Sequence, residues 1–285
     1  MHKLFDTQGR LADSKLADQK LILTQGGEPT FVPHDTSAPE WNIAALGPDK
    51  LFHARKLARE LAAQQFKGGV ILQSFGKQYP NEPLPRWQIS IYRSRSGEPL
   101  WRDLSRLRLD QTDVAPTAED QPEKFINALA KALRLKATPL PAFEDLEAKL
   151  HAVDSEETKR LLPRFSRRKR AFISNPLPED VGETLQAYFK PAGWVLPLSF
   201  EEDEWITGVW ELPDGEDLTL IPGDSPIGLR LPLSQLKEDA LKSGLTVECK
   251  NEELILFLPP LPDFACFAEL VRIIEKLVTT LDLPP

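Results

Sequence analysis

Cysteine is scarce in this chain: Cys249 and Cys266 are the two in 285 residues. They show no CxxC or Cys/His ligand spacing, and two cysteines make no disulfide framework. Cys266 falls on an apolar helical face and Cys249 at a strand end, so both read as small packing residues. Long apolar runs are missing as well. No stretch approaches the roughly 18 residues of a membrane span and no signal peptide opens the sequence, so a cytoplasmic setting without a membrane is expected. Positive charge is in deficit, with a net charge of −8 and a pI near 5.2. That argues against nucleic acid as a partner, because neutralising phosphates needs clustered Lys and Arg. The one basic run, 164–170 (RFSRRKR), reads first as a solvated face and second as a phosphate- or partner-docking patch. There is no GxGxxG, no P-loop and no HExxH. The four histidines, His2, His34, His53 and His151, form no triad arrangement.

Proline, by contrast, is abundant: 26 residues, roughly twice its ordinary share. The prolines flank apolar runs, which implies rigid turns and not a disordered tail. With 41% hydrophobic and 27% charged residues the chain has the composition of a globular protein with a substantial core.

Periodicity organises the sequence into four parts. Residues 1–20 are a polar leader or short helix. Residues 21–138 form a first unit: a strand at 21–24, a helix at 49–66 with apolar residues at helical spacing, strands at 70–75 and 87–93, and a short amphipathic helix at 125–135. Residues 139–180 are charged and proline-bounded, and read as a surface connection of helical hairpins. Residues 181–285 form a second unit: a helix around 182–189, short strands near 193–198, 205–212 and 218–221, a hairpin at 246–258, and a last helix from Asp263 to about Leu281. Its stripe of Phe264, Phe267, Val271, Ile274, Val278 and Leu281 is expected to pack on a sheet. Without regular βαβα alternation, the expected class is α+β, a mixed, largely antiparallel sheet with flanking helices.

Three loops concentrate glycine, proline and polar groups: 21–41 (LILTQGGEPTFVPHDTSAPEW), 76–87 (GKQYPNEPLPRW) and 222–233 (PGDSPIGLRLPL). Such loops are kept for sites more often than for packing. In the first two a lone glutamate precedes a proline, which makes Glu28 and Glu82 the leading catalytic or metal-binding candidates, as carboxylate ligands or as a general base. The plainer alternative is that each accepts hydrogen bonds from loop N–H groups. Lys77 and Arg86 flank Glu82 as phosphate or carboxylate contacts, although a lone Gly-Lys is far from a P-loop. Asp224, Ser225 and Arg230 offer a carboxylate, a hydroxyl and a bidentate anion binder. GDSPIG is not a nucleophile elbow, since isoleucine stands where GxSxG needs its second glycine. His34 lies near Glu28 in sequence, and His53 reads as a solvated or packing residue within a helix. The six tryptophans read as core or pocket wall.

Taken together, GGEPTF (Gly26–Phe31), APEWNIAALGPDK (Ala38–Lys50), GEPLW (Gly97–Trp101) and GWVLPL (Gly193–Leu198), with the second and third loops, resemble the bacterial family of putative amidoligases. Its members are often fused to, or encoded beside, transglutaminase-like proteins. The resemblance implies a carboxylate–amine ligase related to glutamine synthetase. Such an enzyme uses ATP and Mg²⁺ to activate a carboxylate as an acyl phosphate, which an amine then attacks. It further implies that Glu28 and Glu82 bind metal and that Lys77, Arg86 and Arg230 contact anions. Peptide or amino-acid carboxylates and amines would be the substrates.

Typical members continue beyond the point matching Pro285, through a Glu-Val-Asn strand and a Gly-rich segment with His. The expectation is therefore an amino-terminal part of such a ligase, inactive alone, with a partner chain carrying the missing catalytic half. A non-catalytic peptide- or protein-binding module of a transglutaminase-associated system is the alternative. Cysteine-dependent chemistry on this chain is excluded, because neither cysteine has a histidine in suitable sequence context.

Overall fold

The computed structural model describes residues 2–18, 48–75, 80, 86–94, 96–106, 116–145, 190–212, 217–223, 225–250 and 252–283. The strand expected at 21–24, the helix at 182–189, the basic run 164–170, His34, His151 and Trp41 lie outside them. The chain divides into two compact units, Met1–Leu57 with Gln73–Gln88, and Ala58–Leu72 with Ile89–Pro285.

The first unit contains helix α1 (His2–Asp18) and the start of α2 (Pro48–Gln65). Proline in the first turn of α2 costs nothing, since its missing N–H would have no intrahelical partner there. The division falls within α2 and within strands β1 (Val70–Phe75) and β2 (Trp87–Tyr92), which pair as a two-stranded sheet. In this unit Arg55 donates from Nε and Nη2 to Gln73 Oε1 at 3.0 and 2.6 Å. His53 is exposed on α2, its ring edge-on to Phe52.

The second unit is built on a five-stranded sheet. Its strands are β3 (Leu140–Phe143), β4 (Gly193–Pro197), β7 (Leu218–Thr219), β8 (Gly244–Lys250) and β9 (Glu253–Phe257), in the order β7-β3-β4-β8-β9. Only β3 and β7 run parallel; the other pairs are antiparallel. The fold is thus α+β with a mixed, mostly antiparallel sheet. Leu140–Phe143, within the stretch read as a surface connection, is an internal strand. Two prolines had masked it, yet Pro141 sits opposite Trp194 in an intact register.

Two helices, α3 (Gln121–Ala132) and α4 (Phe264–Thr280), cover one face. Phe125, Ile126 and Leu129 of α3 and Leu270 of α4 are fully buried against Leu196, Leu245 and Val247. Side chains alternate across a strand, so Gly193, Val195, Thr246 and Glu248 point to the opposite face. There Trp210, Leu220, Ile227, Leu231 and Leu236 form a second core from irregular chain. A third cluster packs Phe267, Ala268 and Val271 of α4 against Val70, Leu100 and Trp101. Glu275 Oε1 accepts the N–H groups of Arg102 and Asp103, which straps that segment to the helix.

Helix ends follow local chemistry. Asp263 caps α4 by accepting the Cys266 N–H at 2.8 Å. Both α3 and α4 stop through paired bonds of the Schellman type. Arg134 N–H donates to Lys131 O and Leu135 N–H to Ala130 O; Asp282 N–H donates to Thr279 O and Leu283 N–H to Val278 O. The residues at the turning point, Arg134 (φ 58°) and Asp282 (φ 48°), are left-handed without being glycine. Strands β5 (Ser199–Glu201) and β6 (Glu204–Ile206) form a hairpin whose two-residue turn, Glu202–Asp203, has φ of 51° and 64°. Positive φ at both positions matches the twist of the strands, and the Phe200–Trp205 pair stacks edge-on across it at 5.0 Å. The expected strand 205–212 is shorter: after Ile206 the chain leaves the ladder and buries Trp210, whose indole N–H donates to Leu241 O.

Phe125→Ala is expected to cost about 3–5 kcal/mol in chemical denaturation, whereas Val209→Ser, at an 83% exposed position, should stay within about 0.5 kcal/mol. Arg134→Gly should raise stability by about 0.5–1 kcal/mol. It relieves a left-handed backbone but frees the unfolded chain, and the first effect is the larger.

Candidate functional site

The third loop is the one whose described residues come together. It leaves the sheet after Leu220, and its neck is closed by the Ile221 N–H donating to Arg230 O at 2.7 Å. A short 3-10 turn, Ile227–Leu229, then sits on the sheet. Two glycines make that seat possible. A Cβ at Gly228 would lie 2.3 Å from the Phe257 ring, and one at Gly193 would lie 2.5 Å from Ile227 Cδ1. The turn therefore approaches β4 and β9 more closely than any side chain would allow.

Arg230 folds back beneath this loop and is only 7% exposed. Its Nε donates to Ser225 O at 2.9 Å, and Nη1 reaches Ile221 O at 3.4 Å. Its two terminal nitrogens donate to Glu144 just past β3, Nη1 to Oε2 at 2.9 Å and Nη2 to Oε1 at 2.7 Å. This is the planar fork-to-fork geometry that suits arginine and not lysine. Removing one partner of so buried a pair leaves an uncompensated charge, at a cost of about 3–5 kcal/mol.

A second carboxylate lies on the sheet itself. Glu248 of β8, 5% exposed, accepts the Ile227 N–H at 3.0 Å. Burial pushes its carboxyl above the usual range; that N–H, Lys250 and Arg230 pull the other way, and Glu144 adds to the rise. Two residues earlier on the same face, Thr246 is fully buried, and its hydroxyl has no partner among the described residues. The cluster thus places two carboxylates, a guanidinium and an unpaired hydroxyl between an irregular loop and a sheet.

Of the residues singled out in the sequence, Arg230 and Ser225 meet here. The anion that Arg230 holds is Glu144 of its own chain, and Ser225 contributes its backbone carbonyl. Arg86 is exposed and belongs to the other compact unit. Glu28, Lys77, Glu82 and Asp224 lie outside the described residues. Sequence reasoning missed Glu144 and Glu248. Glu144 is one acid among several in the stretch FEDLE, and Glu248 shares with Thr246 the polar alternation of LTVEC, opposite Leu245 and Val247, which in sequence reads as a solvent-facing side.

The donor set among the described residues does not fit a magnesium ion. No group of three or more His, Cys, Asp or Glu is placed to hold a metal among them. Glu144 gives both oxygens to Arg230, and Glu248 is covered by the turn. The thiols are equally ill-suited to nucleophilic work. Burial raises both, Cys266 to about 11, and Cys249 Sγ lies 3.8 Å from Thr117 O. Among the described residues no helix is long and apolar enough to cross a membrane.

The family described as "Putative amidoligase enzyme (DUF2126)" matches residues 2–244. The chain belongs to this family. The match takes in the amidoligase-family loops, with Glu144 and Arg230, and ends as β8 begins, so Glu248 lies beyond it. No curated protein and no solved structure matches the chain.

A carboxyl that is easier to protonate in the native state than in the unfolded chain makes the native state bind more protons between the two pKa values. The stability this contributes is complete below the ordinary carboxylate range and lost as pH rises through the native value. Wild-type protein should therefore lose stability with rising pH over that window. Glu248→Gln, which keeps an acceptor for Ile227 without a charge, should flatten the loss in denaturation curves taken across it.

Proposed function

We propose that this chain serves as the amino-terminal part of an ATP- and Mg²⁺-dependent amidoligase. It would join a peptide or amino-acid carboxylate to an amine through an acyl phosphate. The observation that carries the reading is the family match over residues 2–244 of 285. When bound, ATP would supply the phosphoryl group that activates the carboxylate, and magnesium would supply positive charge to offset that of the phosphates. Glu28 and Glu82 are the proposed metal-binding or catalytic carboxylates. Lys77, Arg86, Asp224 and Ser225 are the proposed phosphate or substrate contacts. Arg230 enters with a qualification drawn from its geometry: a substrate anion would have to displace Glu144 to reach it. Proposed partners are a chain that completes the catalytic half and a transglutaminase-like protein, in a cytoplasmic setting.

Thermal unfolding with and without Mg²⁺-ATP tests the reading. Ligand at about a hundred times Kd should stabilise the native state by roughly 2.7 kcal/mol, and Glu28→Gln should abolish the shift. No shift at millimolar Mg²⁺-ATP would sink nucleotide binding by this chain and favour a module that binds peptide or protein.

A further inference from the structure

Loop residues 225–230, with their neck at Ile221, have the build of a unit that moves as one piece. The neck hydrogen bond joins the two ends, and the Arg230 side chain fills the interior by donating to Ser225 O. A compact loop with touching ends, packed by its own side chain, is a recurrent functional form. What it covers is poorly served by being covered. Thr246 is fully buried with an unpaired hydroxyl, and the buried Glu248 carboxylate takes its hydrogen bond from the loop itself, at the Ile227 N–H. A buried hydroxyl without a partner and a carboxylate taken out of water both oppose closure, since water would solvate them. Two things hold the loop to the rest of the chain: Ile227, buried in the second core, and the two-pronged contact from Arg230 to Glu144.

We propose that residues 225–230 form a lid that opens as a unit, separately from the sheet, to uncover Thr246 and Glu248, and that the Arg230–Glu144 ion pair is its latch. This inference is independent of the ligase reading. The charged groups around Glu248 are Arg230 on the lid, Lys250 on its own strand and Glu144 past β3. Ionising Glu248 favours the open lid, where water reaches the carboxylate. Rising pH therefore loosens it.

Hydrogen exchange of the full chain, read by mass spectrometry and corrected for intrinsic chemical rates, tests the proposal. In wild type, 225–230 should exchange at least about tenfold faster than β8, and faster still as pH rises. Glu144→Gln should speed exchange in 225–230 by at least about a further hundredfold and leave β8 unchanged. Glu248→Gln should remove the added pH dependence. Equal corrected rates for 225–230 and β8 in wild type would overturn the lid, a comparison that needs no variant to fold. Unchanged exchange in Glu144→Gln, or equal acceleration of loop and sheet, would overturn the latch. A pH response that survives in Glu248→Gln would overturn the part given to that carboxylate.

Discussion

Strands β4 and β8 are buried on both faces, but helices cover only one of them. Helices α3 and α4 satisfy their own backbone and can lie on Leu196, Leu245 and Val247 with nothing but apolar contact. The opposite face is roofed by the irregular stretch through Trp210, Leu220, Ile227, Leu231 and Leu236. Irregular chain brings N–H and C=O groups that no ladder satisfies, and burying them unpaired is costly. That constraint accounts for the polar cluster. Glu248 on the sheet answers the Ile227 N–H. Arg230 answers the carbonyls of Ser225 and Ile221, and Glu144 then neutralises the charge that Arg230 carries inward.

The same logic separates what packing explains in the loop 222–233 from what it leaves over. Gly228 is required by the Phe257 ring, Ile227 fills the space above Gly193, and Arg230 stitches the loop to itself and to Glu144. Half of a motif that reads in sequence like a site is thereby a solution to roofing a sheet. The Ser225 hydroxyl is not used by that solution, whose contact is to the carbonyl. A functional role for the loop is best sought in such side chains, and in the surface the loop covers.

Legibility in the sequence followed the period of the pattern. The last helix, with Asp263 before an apolar 3.6 repeat, was readable almost to the residue, and the hairpin expected at 246–258 lies within two residues of that, at 244–257. The α+β class was readable too. Within α4 the buried face is rotated from the expected stripe: Cys266 and Leu270 are inside, while Phe264 is 44% exposed. The helix packs on two clusters at once, the sheet core and the Val70–Trp101 patch. Strand β3 was illegible because prolines flank and enter it. Helix ends at Arg134 and Asp282 carried no glycine to announce them.

The candidate site was half legible, for a physical reason. Glycine, proline and arginine announce themselves through backbone demands and donor geometry, so the loop stood out. Its acidic partners did not, because a glutamate becomes unusual only through its surroundings. Glu144 differs from its neighbours by lying where β3 delivers it to Arg230, and Glu248 by facing a roof made of irregular chain instead of a helix. Both conditions are set by strand pairing: Ala142 sits opposite Gly193, and Gly193 opposite Glu248. One register across β3, β4 and β8 therefore brings the two carboxylates under the same loop. A slip of one residue in β8 would turn Glu248 toward the helices and Val247 toward the loop, leaving the Ile227 N–H without its acceptor.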